Sequence, residues 1–168
     1  MHLAIGILAI AISLKWANWK EWQRYYPTML YIVLSNLLYK FFALSEFHIW
    51  KLSSHDFFFN NHIQIFLWHI FIINTLCTFV YLSNFPEGED WHKRFFYILK
   101  WLAIYIICES ILLKYNHVNY YHGWNIVWTL FFDLVMFLML RLHFKKPLWA
   151  IILSVPNTLF YLFVFDYF

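Results

Sequence analysis

Charge is scarce in this chain of 168 residues. Asp, Glu, Lys and Arg make up 12% of it, about half the share usual in a soluble domain. The 12 Lys and Arg and 9 Asp and Glu are too few to cover the surface of a globule of this length. Glycine and proline are rare as well, at 3 and 4 copies, which excludes collagen-like or linker character and leaves no material for a Gly-rich phosphate loop. Cys77 and Cys108 are the only cysteines. Each lies in an apolar run, where a thiol behaves as a small hydrophobe, so a disulfide scaffold is excluded. The net charge of +3 is small and dispersed, without the basic block that would make nucleic acid a partner. What the chain does have is apolar bulk: 63% of its residues are hydrophobic, which rules out disorder. This is the composition of a membrane protein, and the lipid bilayer is its first partner.

A hydrocarbon core of ~30 Å takes ~20 mainly apolar helical residues to cross. Residues 27–47, 61–83, 95–115, 124–141 and 147–167 meet that requirement. Polar stretches such as Asn84-Phe85-Pro86-Glu87-Gly88-Glu89-Asp90 separate them and stop helices. The runs are long and continuous, unlike the short alternating segments of a membrane β-barrel. Pro27 and Pro147 are read as first-turn prolines, where the missing N–H costs nothing. Residues 2–18 are read as a further span. Only His2 to Leu14 is uncharged there, ~20 Å of helix, but Lys15 can snorkel and Trp16 and Trp19 can join the interfacial belt. A signal peptide would carry its cation before the apolar run and not after it; an interfacial or re-entrant segment is the alternative. The fold class expected is thus all-α: one domain over residues 1–168, a polytopic bundle of six helices, or five spans if residues 2–18 do not cross.

Lys15, Lys20, Arg24, Lys93, Arg94, Arg141, Lys145 and Lys146 fall in three alternate connections, against Lys51 and Lys114 in the other two. By the positive-inside rule the three basic connections are cytoplasmic, and with six spans both termini lie outside. On a helical wheel drawn through residues 15–26, Trp16, Trp19, Trp22, Tyr25 and Tyr26 share one face, opposite Lys20, Glu21 and Arg24. Such an arc would lie in the headgroup plane, as an anchor or as a lipid or partner contact. Aromatics reach 25%, with 20 Phe, 12 Tyr and 10 Trp. AT-rich codon usage would inflate Phe and Tyr, and most Trp residues fall near span ends, where belts belong.

An ionisable residue inside a span costs ~2.5–3.5 kcal/mol and so faces protein or water. Lys40, His62, His69, Glu109 and Asp133 are such residues, with Asn36, Gln64, Asn74, Asn125 and Asn157 as neutral companions. At the helical rise, Lys40 lies ~20 Å, His69 ~18 Å, Glu109 ~21 Å and Asp133 ~16 Å from the cytoplasmic side. Four groups on four helices share one slab. One reading is a polar cavity open to the outside that binds a small polar solute or relays protons, with Asp133 central, Lys40 its counter-ion, and His69, Glu109 and Asn157 as relay or binding groups. The other is plain helix packing through interhelical hydrogen bonds.

A metal site is not expected. His62 and His69 have no matching pair on a partner helix for a haem, and a zinc site from His55, Asp56, His117 and His122 lacks tight ligand spacing. No nucleophile–base signature appears, so neither an enzyme nor a cofactor is expected.

The strings Tyr25-Tyr26-Pro27-Thr28-Met29-Leu30-Tyr31 and Asn36-Leu37-Leu38-Tyr39, the lone acid Glu109, His122-Gly123-Trp124, Arg141-Leu142-His143 and Lys146-Pro147-Leu148 resemble an uncharacterised family of small multi-span membrane proteins from spore-forming Bacillus and Clostridium relatives. The likeness covers most of residues 20–150. It implies a helical protein of a bacterial plasma membrane, and it directs attention to Arg141, His143, Lys145 and Lys146 as a cytoplasmic cluster, either a plain positive-inside anchor or a site for lipid headgroups or a partner. Two functions are carried forward: solute binding or proton-linked transport through the polar slab, and a non-catalytic scaffold for envelope or spore assembly. A homo-oligomer is conceivable, Ala9 and Ser13 being the nearest small-residue pair.

Overall fold

The computed structural model describes residues 1–42, 48–53, 58–59 and 61–167. His55 and Asp56, and the end of the expected span 27–47, lie outside them. The described residues form six helices: α1 (His2–Trp16), α2 (Trp22–Phe42), α3 (His62–Ser83), α4 (Trp91–Lys114), α5 (Ile126–Lys145) and α6 (Pro147–Val164). Four of them, α3 to α6, are each long and apolar enough to cross a membrane. The helices at His2–Trp16 and Trp19–Phe42 meet that test only as a pair, with an 88° bend between them.

Local chemistry sets the helix ends. Asn61 and Asn125 cap α3 and α5, accepting backbone N–H groups of Gln64 and of Val127 and Trp128, the usual role of an N-cap amide oxygen. Pro147 takes the first position of α6. Pro27, read as a first-turn residue, instead lies inside α2, which begins at Trp22.

The interfacial arc expected over residues 15–26 is not one helix. The chain turns extended at Ala17, makes a single 3-10 turn over Trp19–Glu21 and enters α2, so a wheel drawn through the break has no meaning. Trp16, Trp19, Trp22 and Arg24 stay exposed, but Tyr25 is buried and stacks on Phe144 at 5.3 Å.

The helices pack as two trios. In the first, α1 and α2 both lie along α3; in the second, α5 is flanked by α4 and α6; α2 and the end of α3 join the trios through α5. Along α1, His2, Gly6, Ala9 and Ser13 form the buried face. This spacing of small residues lets helices approach closely, and a Cβ at Gly6 would come within 3.0 Å of the Trp68 indole. The Ala9–Ser13 face is therefore spent inside the chain and is not free for a second copy.

The connections between helices gather at two chemically distinct ends. At one, Arg141 pairs with Glu87 and Lys145 lies 3.2 Å from the same carboxylate, while Arg24 sits over Phe144 at 5.3 Å and Asn84 donates to the Trp16 carbonyl. All three basic connections meet here. Burial pushes the Glu87 carboxyl up, but hydrogen bonds from Arg141 and Lys145 outweigh it and hold it below the usual carboxylate range. At the other end a two-stranded antiparallel ribbon, unexpected from the sequence, pairs β1 (Trp50–Leu52) with β2 (Val118–Tyr120) in the register Trp50↔Tyr120. It ties the α2–α3 connection to the α4–α5 connection.

The trios touch most tightly towards the basic end. Tyr81 is fully buried among Phe137, Tyr97 and Trp101, with ring centroids at 4.9, 5.6 and 5.8 Å. It donates to the Phe137 carbonyl at 3.2 Å and its own carbonyl accepts from Tyr97 at 2.9 Å.

Candidate functional site

Between the trios, above this aromatic floor and below the ribbon, lies a cavity of ≈ 360 Å³, the size of small-ligand pockets in general. Its lining runs along α5 from Thr129 to Leu140, a length of ~16 Å at the helical rise. His69, Glu109, Asp133 and Asn157 all line it, from four different helices, together with Asn36 and Asn74, which bond to each other across α2 and α3 at 3.3 Å.

Two irregular stretches of backbone border the cavity. The middle of α3, His69–Asn74, is wound as a π-helix, a feature often found at functional sites; Thr75 Oγ donates to the Ile70 carbonyl that this winding would leave short of a partner. In α6, Pro156 interrupts the helical ladder between Ser154 and Asn157, both of which line the cavity. At membrane depth, a broken ladder is tolerated where the backbone meets protein or a water-filled space.

The two carboxyls differ in their surroundings. Glu109 Oε1 accepts from the Tyr120 hydroxyl at 2.9 Å, Tyr120 and Thr129 hydroxyls are 3.0 Å apart, and Trp124 Nε1 donates to Thr129 at 2.9 Å. An indole N–H can only donate, and each hydroxyl has one proton. With Tyr120 donating to Glu109, the chain therefore runs one way, from Trp124 through Thr129 and Tyr120 to Glu109. Burial raises the Tyr120 phenol further above neutrality, so it remains a donor. Asp133 has no such support. Its residue is 6% exposed, its carboxyl interacts electrostatically with that of Glu109, and among the described residues it has no hydrogen-bond or ion-pair partner. The buried hydroxyl of Tyr161, 8% exposed, also lines the cavity without a hydrogen-bond partner among the described residues.

The other expected site residues fall elsewhere. Lys40 is not the counter-ion of Asp133: its Nζ lies 3.2 Å from His62 Nε2 and 5.5 Å from the ring centroid of Phe66, and it is not among the residues that line the cavity. His69 lines the cavity and also bonds His2 at 2.9 Å, with His117 edge-on to the His2 ring at 5.0 Å. His143 is not a headgroup contact. It is buried, bonded to Thr28 at 3.0 Å and stacked on Tyr31 at 4.3 Å. Arg141 is engaged by Glu87 and by the Phe85 ring at 4.3 Å, which makes it an internal tie between connections. Lys145 also serves Glu87, and Lys146 is exposed.

Cys77, Cys108 and Tyr161 line the cavity although nothing in their sequence neighbourhood singles them out. Their one shared signal is depth within an apolar run. Among the described residues no group of three or more His, Cys, Asp or Glu side chains could hold a metal ion. No family model matches the chain, no curated protein is significantly similar to it in sequence, and no solved structure matches its fold.

Proposed function

We propose that this protein sits in a bacterial plasma membrane, with its basic end in the cytoplasm, and takes up a small solute into the cavity between the helix trios, exchanging protons at Asp133. Eight cations in the connections at one end against two in those at the other support this orientation by the positive-inside rule. One observation carries the functional reading: Asp133, buried and without a hydrogen-bond or ion-pair partner among the described residues, lines a cavity large enough for a ligand. A carboxyl at such depth costs several kcal/mol when ionised and alone, so a proton or a ligand group completes it. Glu109, already served by its donor chain, is the fixed partner; Asp133 is the group free to change.

The test uses purified protein in vesicles that enclose a pH indicator. After an external pH step, the wild type is expected to equilibrate the interior faster than protein-free vesicles, and Asp133→Asn to equilibrate at the protein-free rate while eluting as a folded species. A scaffold role in envelope or spore assembly is the second reading, favoured by the exposed Trp16, Trp19 and Trp22 at the basic end. It predicts no difference among wild type, Asp133→Asn and empty vesicles.

A further inference from the structure

The cavity is unbalanced in charge. Glu109 and Asp133 both line it and interact with each other, yet no Lys or Arg is among the residues that line it. The cations next in sequence to lining residues are placed elsewhere: Lys40 at His62, Arg141 at Glu87, and Lys51 exposed on the ribbon. The remainder of the wall is mostly aliphatic and aromatic, including Tyr39, Trp50, Phe66, Trp124 and Tyr161. The small polar groups that interrupt it, Asn36, Asn157 and the Tyr161 hydroxyl, can accept a hydrogen bond as well as donate one.

A wall of this kind discriminates by charge. An anion would meet two carboxyls and no counter-charge. A neutral polar solute would find much of the wall's polar capacity already bonded within the protein: Ser35 to the Tyr31 carbonyl, Ser154 to the Tyr31 hydroxyl, and Asn74 to Asn36. A cation meets the carboxylate electrostatically and the aromatic faces through their quadrupoles, an attraction that grows when both are desolvated. A small inorganic cation would gain little from the apolar walls and would need several oxygen ligands at once, which one unpartnered carboxyl does not supply.

Building on the solute-binding reading above, we propose that the solute is an organic monocation with an apolar body: an amine or quaternary ammonium group set against Asp133, with its hydrocarbon or aromatic part against Trp124 and Tyr161. Tyr161 OH, buried and without a hydrogen-bond partner among the described residues, is the contact left for an N–H of such a ligand. A proton and the cation then compete for one carboxyl, and that competition is how solute binding and proton exchange would be linked.

Three probes of similar size separate charge from shape: benzyltrimethylammonium, its uncharged carbon analogue neopentylbenzene, and benzenesulfonate. Binding is read from quenching of tryptophan fluorescence, since Trp50 and Trp124 line the cavity, and from equilibrium dialysis of the full chain in detergent. The expected result is saturable binding of benzyltrimethylammonium at least about tenfold tighter than neopentylbenzene, ~1.4 kcal/mol, with no binding of benzenesulfonate. Asp133→Asn should erase the cation's advantage and leave the weak binding of the neutral probe intact, which also shows that the variant is folded; Asp133→Glu should restore part of it. If the neutral or anionic probe binds as well as the cation, the ligand class proposed here is wrong and the cavity stands as a solute site. If none of the three binds, both this inference and the solute-binding reading fall.

Discussion

Replacing Asp133 by leucine is expected to make the bundle harder to unfold while ending the proton exchange proposed for this residue. An unpaired carboxyl inside a span costs up to about 2.5–3.5 kcal/mol on insertion scales, and Asp133 has no partner among the described residues to offset that cost. The gain should fall below this ceiling because the side chain faces a cavity that can admit water. Glu109→Leu is expected to have the opposite sign. It removes the acceptor at the end of the chain from Trp124 through Thr129 and Tyr120, and with it one hydrogen bond of the half-buried Tyr120, whose hydroxyl keeps Thr129, a loss of about 0.5–1.5 kcal/mol. Titration with SDS, followed by loss of helical signal, measures both variants. If Asp133 served only to lock helices together, its leucine variant would unfold earlier than the wild type, and the site reading would lose its basis.

Tyr81→Ala should be the most damaging single substitution in the floor of the cavity. The ring is fully buried, contacts Phe137, Tyr97 and Trp101, and donates to the Phe137 carbonyl. Truncating a buried aromatic costs about 3–5 kcal/mol in soluble cores. The lower part of that range is expected here, because a lipid-solvated reference state gains less from burial and the loss is mainly packing. Tyr81→Phe should lose only the hydrogen bond, about 0.5–1.5 kcal/mol. Leu140 both lines the cavity and packs in the same cluster as Tyr81, so the hole left by Tyr81→Ala opens the cavity towards the basic end. The indicator-loaded vesicles should then leak protons independently of Asp133, as the double variant Tyr81→Ala with Asp133→Asn would show. Retained tightness in Tyr81→Ala vesicles would mean the floor is not the barrier.

The membrane helices were legible because apolar run length and the hydrocarbon thickness are directly comparable quantities. Asn125, read as a neutral companion inside a span, instead caps the start of α5. Counting residues along each helix placed His69, Glu109 and Asp133 at a common height, and all three line one cavity. Height alone does not give azimuth. Lys40 matched the others in depth but faces His62 on α3, because the direction a side chain takes depends on which neighbour each helix chooses. His143 was misread for a related cause. It borders a basic tract, yet Thr28 and Tyr31, over a hundred residues away in the chain, enclose it. Neither the π-winding of His69–Asn74 nor the three-residue strands Trp50–Leu52 and Val118–Tyr120 carry a periodic signal long enough to read. The break at Ala17 went unseen for the same reason, and with it went the supposed continuous aromatic arc.

The account rests on a cavity between the helix trios that small polar molecules can enter, and the chain's own thiols report on it. Cys77 and Cys108 are its only cysteines, both half-buried and both lining the cavity. Native protein in membrane vesicles, treated with a small cationic methanethiosulfonate reagent and weighed by mass spectrometry, should acquire the label at these positions, more slowly when benzyltrimethylammonium is present. Cys77→Ser and Cys108→Ser assign the sites. Thiols that react only after unfolding would contradict the account, since a closed, dry interior could not bring a solute to Asp133.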